Sequence, residues 1–337
     1  MNPSENPVCQ RLSIDFPILQ AGMGGVAGPR LAAAVSRAGA GGILGLYKMW
    51  GADLEQWLST ARALTASPLG VNSIPELLPD DTLVRQVHTV LDSDIEKPFF
   101  TFFGLPSSWV ARLINDSGCP LVIQVGTVDD AVQGRDLGAD VLVLQNRQAG
   151  GHHLGSDAAA ILVDSVRQAG VETTPLVAAG GISTGDDLVR MMTLGYSGAW
   201  CGTLFAACHE SRAHDLYKQR IVAASAEDTL ITEAFHLGWA RRHRVLRNDS
   251  TNWTHDSGPG GPDGQRLDSR FIAFKAVGDQ RYPIPRFSCA VPTIDTTGKI
   301  EEMAMYCGTS CARIRRLVSA QDIVEGLRRD FFRAIQA

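Results

Sequence analysis

Eight short apolar runs recur through the first two thirds of this chain, and their spacing limits the available folds more than any other feature. They lie at about Pro17–Gly22, Gly41–Tyr47, Leu69–Ile74, Phe99–Gly104, Pro120–Gly126, Asp140–Asn146, Pro175–Gly180 and Gly198–Ala206, each rich in Val, Ile, Leu or Phe and without clear alternation. A strand that is apolar on both sides is buried on both faces, the condition of a parallel sheet. Helical patterns fall between the runs. Pro29 sits at a first helical position, Leu31, Val35 and Ala38 share a face, and Gly39 supplies the stop. Thr184-Gly-Asp-Asp187 reads as a capping box ahead of Leu188, Val189, Met191 and Met192. Eight strand–helix units in about 210 residues give the count of a (β/α)8 TIM barrel, whereas a doubly wound sheet has roughly five or six strands.

Past Ala206 the pattern changes. Residues 210–240 read as helical, Asn248–Asp268 as a Gly-, Asp-, Asn- and Pro-rich loop, and Arg281–Thr297 as proline-interrupted turns. A final helix, Ala320–Ile335, places Ile323, Leu327, Phe331 and Phe332 on one side. The expected organisation is therefore a barrel over residues 1–209 carrying the ligand site, a helical and loop-rich C-terminal appendage over its mouth at 210–318, and a helix at 319–337 packed on the barrel wall.

Composition removes several function classes. The formal net charge is -5 and the longest basic cluster is Arg241-Arg-His-Arg244, so there is no basic stripe for nucleic acid. No apolar run approaches the roughly 20 residues of a membrane span, and MNPSENPVCQRLSIDFP lacks the basic and apolar segments of a secretory leader, so the cytoplasm is the expected location. Cysteines at 9, 119, 201, 208, 289, 307 and 311 form neither paired C-x2-C spacings nor a disulfide framework; reduced thiols and no metal are expected.

The candidate chemistry sits where strands end. Three successive ends are glycine-rich: Gly150-Gly151 ahead of His152, Gly180-Gly181, and Gly202-Thr203. This is the face on which a barrel places its ligand and its phosphate. Bare amides at the last two ends form an anion site without a lysine. His152 is the candidate base, since a neutral imidazole accepts a proton near neutral pH. The bland alternative is a structural histidine bonded to a carbonyl, and the Ala-Gly-Gly context favours function; His153 is read as a loop residue facing elsewhere. Glycines that merely terminate strands are the corresponding alternative for either pair alone. Gly22-Met-Gly-Gly-Val-Ala27 mimics a dinucleotide fingerprint, but the second strand ends Leu44-Gly-Leu-Tyr47 with no acidic residue for a ribose. Close approach of Gly22 and Met23 to a flat ring system is the better role. Asn72, Gln124 and Gln145 end strands three, five and six, and their amides suit a polar heterocycle.

The segments PILQAGMGGV, PLGVNS, FFTFFGLP, VIQVGTVDDA, QNRQAGGHHLG, PLVAAGGISTGDDL and GAWCGTLFAACHES, with LITEAF, HRVLRN and a tail MYCGTSCARIRRLVSAQDIVEGL, resemble the nitronate monooxygenase family, formerly 2-nitropropane dioxygenases. The resemblance covers nearly the whole chain. It implies an FMN-dependent TIM barrel that also resembles flavin-dependent enoyl-acyl-carrier-protein reductases. It puts the catalytic base on His152 and FMN against Gly22, Met23, Asn72, Gln145, Gly150, Gly151, Gly180 and Gly181, with Trp200, Cys201, Gly202 and Thr203 around the phosphate. It further implies that a nitronate gives an electron to FMN, that dioxygen completes the oxidation, and that a carbonyl compound and nitrite leave, with His152 generating nitronate from a nitroalkane. Three positions depart from the family pattern: Gln148 in place of Glu, Asn146-Arg147 in place of a Gly-containing pair, and Cys307-Gly-Thr309 in place of Ala-Gly-Gln. Arg147 would add positive charge for an anionic substrate, and a specialised pathway substrate is compatible with these changes. Two rivals stay open: an NAD(P)H-dependent flavin reductase acting on a quinone or enoyl thioester, which NAD(P)H would bleach without oxygen, and a non-redox barrel binding a phosphometabolite, which would purify colourless. The oligomeric state is open, a homodimer among the options.

Overall fold

A computed structural model describes residues 5–256 and 271–336. The strands that carry the fold are β1 (Ile18–Gln20), β2 (Gly42–Gly45), β3 (Leu69–Ser73), β4 (Phe99–Phe103), β5 (Leu121–Val125) and β6 (Val141–Gln145); after a two-residue strand β7 (Gly151–His152) come β8 (Leu176–Ala179) and β9 (Gly198–Cys201). All except β7 form one parallel sheet of eight in the order β1-β9-β8-β6-β5-β4-β3-β2. The seam between β1 and β2 closes through a Leu19–Gly41 bridge. There Gly41 N donates to Ile18 O at 2.8 Å and Gln20 N to Gly41 O at 2.9 Å. The buried Gln20 side chain extends the seam by accepting from Ile43 N at 3.0 Å. The chain is a (β/α)8 TIM barrel.

Apolar residues on both faces of the strands divide the core in two. Leu19, Ile43, Phe99, Val122, Val141, Val143 and Val177 fill the barrel with Val8, Leu12 and Ile14. The N-terminal helix Pro7–Leu12 thus plugs the end where strands begin, tied by Asn6 Nδ2 donating to Ser197 O at 2.7 Å. The opposite end is left for a ligand. Outside the strands, Leu31, Val35, Leu58, Val87, Ile114, Val166 and Leu188 pack the helices on, together with Val324 and Leu327 of the last helix. That helix, Ala320–Gln336, comes so near the barrel wall that a Cβ on Gly185 would lie 2.1 Å from Phe331 N.

The structure corrects the reading beyond Cys201. The eighth run is a strand only to Cys201 and continues as the helix Thr203–Ala206. Residues 210–240 are not one helix: Asp215–Ala223 is helical, Ala226–Asp228 is a 3-10 turn, and Thr229–Thr232 is a strand, β10. The sequence reason is local. Ser225 and Asp228 form a capping box that starts a new turn, and Thr-Leu-Ile-Thr is rich in β-branched residues that prefer strands. β10 pairs with β11 (His243–Leu246), and β11 pairs in turn with β7. Of the segment read as a loop, Asp249–Asp256 is a helix, and residues 257–268 lie outside the described residues. The proline-rich segment contributes to a second antiparallel sheet of β12 (Phe271–Val277), β13 (Gln280–Pro285) and β14 (Thr296–Gly298). Pro283 and Pro285 are tolerated because β13 is an edge strand of that sheet.

Candidate active site

At the C-terminal end of the barrel strands lies a cavity of about 710 Å³. Every cofactor position named from the sequence lines it, from Gly22, Met23 and Asn72 on one side to Gly202 and Thr203 on the other. Arg147 does not. Its side chain is exposed and outside the cavity, so it brings no charge to the site in this arrangement.

At the first strand end, a Cβ on Gly22 would fall 2.1 Å from Asn72 Cβ, so only a glycine lets this backbone lie against strand three. Asn72 Nδ2 donates to Gly22 O at 3.1 Å, and its Oδ1 accepts from Thr101 Oγ1 at 2.8 Å. Gln145 is also engaged by protein: Nε2 donates to His152 O at 2.8 Å, and Oε1 accepts from Leu154 N at 2.7 Å. These two amides shape the cavity by fixing backbone. Gln124 lines it with no side-chain hydrogen bond to the described residues, which leaves its amide for a ligand.

The opposite end is an amide cradle. Gly180 and Gly181 adopt φ of 116° and 79°. Cβ atoms there would lie 2.6 Å from Ala149 N and 2.6 Å from Gln148 Oε1 respectively. Asn146 holds the turn, its Nδ2 donating to Gly180 O at 3.0 Å while its Oδ1 accepts from Gln148 N at 2.8 Å. A residue that departs from the family pattern is thus a strut of the glycine turn. Thr203 Oγ1 accepts from Gly308 N at 2.9 Å. Gly308 in turn packs so near Gly150 that a Cβ on Gly150 would lie 2.4 Å from its nitrogen. The tail segment around Cys307 therefore completes the cradle by backbone, with the Cys307 thiol itself fully buried.

His152 lies in β7, opposite His243 of β11. It is 8% exposed, and its Nε2 is buried with no hydrogen-bond partner among the described residues. Burial, then His243, Arg241 and His153, hold its pKa down to about 2, so the ring is neutral. Burial also holds the pKa of His243 down, and its ring is oriented by backbone: Nδ1 lies 2.8 Å from Arg241 O while Nε2 accepts from Phe235 N at 3.3 Å, which fixes one tautomer. His153 fits the bland role, its two ring nitrogens 3.3 Å from Gly155 O and 3.0 Å from Ala149 O. Adjacent histidines have opposite jobs, one facing the cavity and one bracing the loop.

Sequence reading missed the residues that wall in His152. Trp239 stacks on its imidazole, with ring centroids 3.8 Å apart and planes at 27°. The Tyr306 ring lies 5.1 Å away. The hydroxyls of Tyr217 and Tyr306 donate to Tyr306 O and Cys289 O, so both aromatics are pinned. All come from the appendage, where no periodic pattern marks an inward face. The only local signal is Gly238, at φ 95°, just before Trp239.

A family profile described as nitronate monooxygenase matches residues 6–330. The chain belongs to that family. A probable nitronate monooxygenase of Bacillus subtilis (strain 168) is 30% identical over 267 residues, covering 68% of this chain and 77% of the relative. Among solved structures, FabK from Thermotoga maritima superimposes with a TM-score of 0.80 at 28% identity, covering 98% of this chain and 97% of the other. A nitroalkane oxidase from Streptomyces ansochromogenes gives 0.76 at 26% identity, over 96% and 97%. Membership makes this chain an enzyme, a flavin-dependent oxidoreductase with a small-molecule substrate. Among the described residues no helix is long and apolar enough to cross a membrane, and no group of three or more His, Cys, Asp or Glu could hold a metal.

Proposed function

We propose that this enzyme binds FMN non-covalently and oxidises alkyl nitronates with dioxygen to a carbonyl compound and nitrite, in the cytoplasm. The observation that carries the reading is the buried, neutral His152, whose Nε2 has no hydrogen-bond partner among the described residues, in the wall of a cavity lined by three glycine-rich strand ends. The cradle fits FMN: backbone that tolerates no Cβ at Gly22, Gly180 and Gly181 suits a flat ring system and a phosphate. Gly180, Gly181, Gly202 and Thr203 would hold the phosphate, and Gly22, Met23 and Gln124 would meet the isoalloxazine. FMN, when bound, supplies the electron acceptor between nitronate and dioxygen.

The protein's part is to bind, orient and exclude water. Burial keeps the His152 imidazole neutral, the form that can accept a proton. Preformed nitronates need no such step, whereas nitroalkanes are the form from which His152 must take the proton. The test is His152→Asn with both forms. Nitroalkane turnover should fall by about a hundredfold or more, while nitronate turnover stays within about tenfold, because Asn still hydrogen-bonds an anion. Equal losses on both forms with flavin retained would show that His152 positions substrate and removes no proton. Bleaching of the flavin by NADPH without oxygen, with no response to nitronates, would overturn the proposed reaction.

A further inference from the structure

Among the described residues, two buried polar atoms on residues of the cavity wall have no hydrogen-bond partner, and they sit on the same stack of rings: His152 Nε2 and Trp239 Nε1. An indole nitrogen only donates, and a buried donor without an acceptor is rare enough in a native fold to require an explanation. Packing does not supply one. The other ring contact of Trp239 is with the apolar edge of Phe103, at 5.4 Å and 80°. The backbone around the indole is well defined, with Trp239 N donating to His236 O at 3.3 Å and Arg241 N to Trp239 O at 3.0 Å. The cavity's cations are otherwise placed: Lys48 and Lys275 are exposed, and Arg212 is paired with Asp295.

We propose that Trp239 is a substrate-binding residue whose indole N–H donates to an oxygen of a planar, two-oxygen group held beside His152. This rests on the reading of His152 as the residue that meets substrate. A nitronate offers an oxygen to each of these atoms, one for Trp239 Nε1 and the other for the neutral imidazole with its proton on Nε2, once it displaces the contacts that close both nitrogens to water. Neutral N–H donors fixed in a buried wall favour a delocalised anion.

Two measurements on the holoenzyme test this. In protein labelled with 15N-tryptophan, the indole signal of Trp239, assigned by its absence in Trp239→Phe, should move downfield on adding propionate, which has the planar two-oxygen shape of a nitronate. Trp239→Phe keeps a ring on His152 but lacks the N–H. It should bind propionate more weakly and lower kcat/KM for ethyl nitronate by about tenfold or more, with flavin retained, and Trp239→His should recover much of the loss. An indole signal unmoved by saturating propionate, or Trp239→Phe turnover within twofold of wild type, would overturn the inference. If the indole responds but neither ethyl nitronate nor nitroethane is oxidised, the proposed reaction fails and the anion-binding role of Trp239 stands.

Discussion

A single side chain, His152, shows how burial sets charge. Desolvation comes first among the causes that hold its pKa down to about 2, and neighbouring cationic groups act in the same direction. An unfolded histidine titrates near about 6.5. Below that pH the unfolded chain takes up a proton that the fold excludes, so stability falls with acidification, by about 1.4 kcal/mol per pH unit from this residue over the window from about 6.5 towards 2. His153 and His243 are lowered too, burial again first, and add to the same trend. Urea midpoints should therefore drop between pH 7 and pH 5 in the wild type and drop less in His152→Asn; equal slopes would place the excluded proton elsewhere. The place of His152 in the cavity lining was legible in the sequence because a glycine pair and a strand end sit beside it in the chain. Trp239 and His243 were not, because they reach it from a segment about ninety residues further on, where neither period 2 nor period 3.6 marks a buried face.

Two glycine-bearing turns look alike in sequence and differ in what they demand of the backbone. Gly181 lies at φ 79° with a virtual Cβ 2.6 Å from Gln148 Oε1, whereas the nearest atom to a Cβ on Gly202 is Ala21 Cβ at 3.6 Å, and its φ is -99°. Alanine at Gly181 should therefore lower both thermal stability and flavin content, while Gly202→Ala folds normally. Gly202→Asp should fold but purify with little flavin, since a carboxylate there faces a phosphate dianion. Thermal melts and visible absorbance per protein separate these effects, and full flavin occupancy in Gly202→Asp would move the phosphate elsewhere. Elements with local causes were readable: the Thr184–Asp187 capping box is present as written. β10 was missed because helix-favouring Ala223, Ala224 and Ala226 precede its Thr and Ile residues, and a capping residue, Ser225, outweighs their propensity.

For the whole molecule the apolar runs carried the fold. Continuous burial of β2, β3, β5 and β6 is what a parallel barrel imposes, so eight such runs identify it without knowledge of any contact. The sheets of the appendage pair segments that alternate poorly and include exposed Phe271, Val277 and Tyr282, so no comparable signal exists there. At this scale the expected cofactor outcome is a yellow protein that releases FMN on denaturation. Release of FAD would require room for a second nucleotide half that no acidic ribose contact at the end of β2 provides.

The pairing of β7 with β11 has a consequence in time. The barrel's last strand ends at Cys201, yet His152 is sheeted against His243 and shielded by Trp239 and Tyr306, and the glycine cradle is closed by Gly308. On a ribosome the chain can close its barrel roughly a hundred residues before it can close its pocket, at synthesis rates of about 5–20 residues per second. Cofactor capture is consequently a late event, reserved for chains that have been made almost to their end, and a truncated product would be a barrel without a reactive centre.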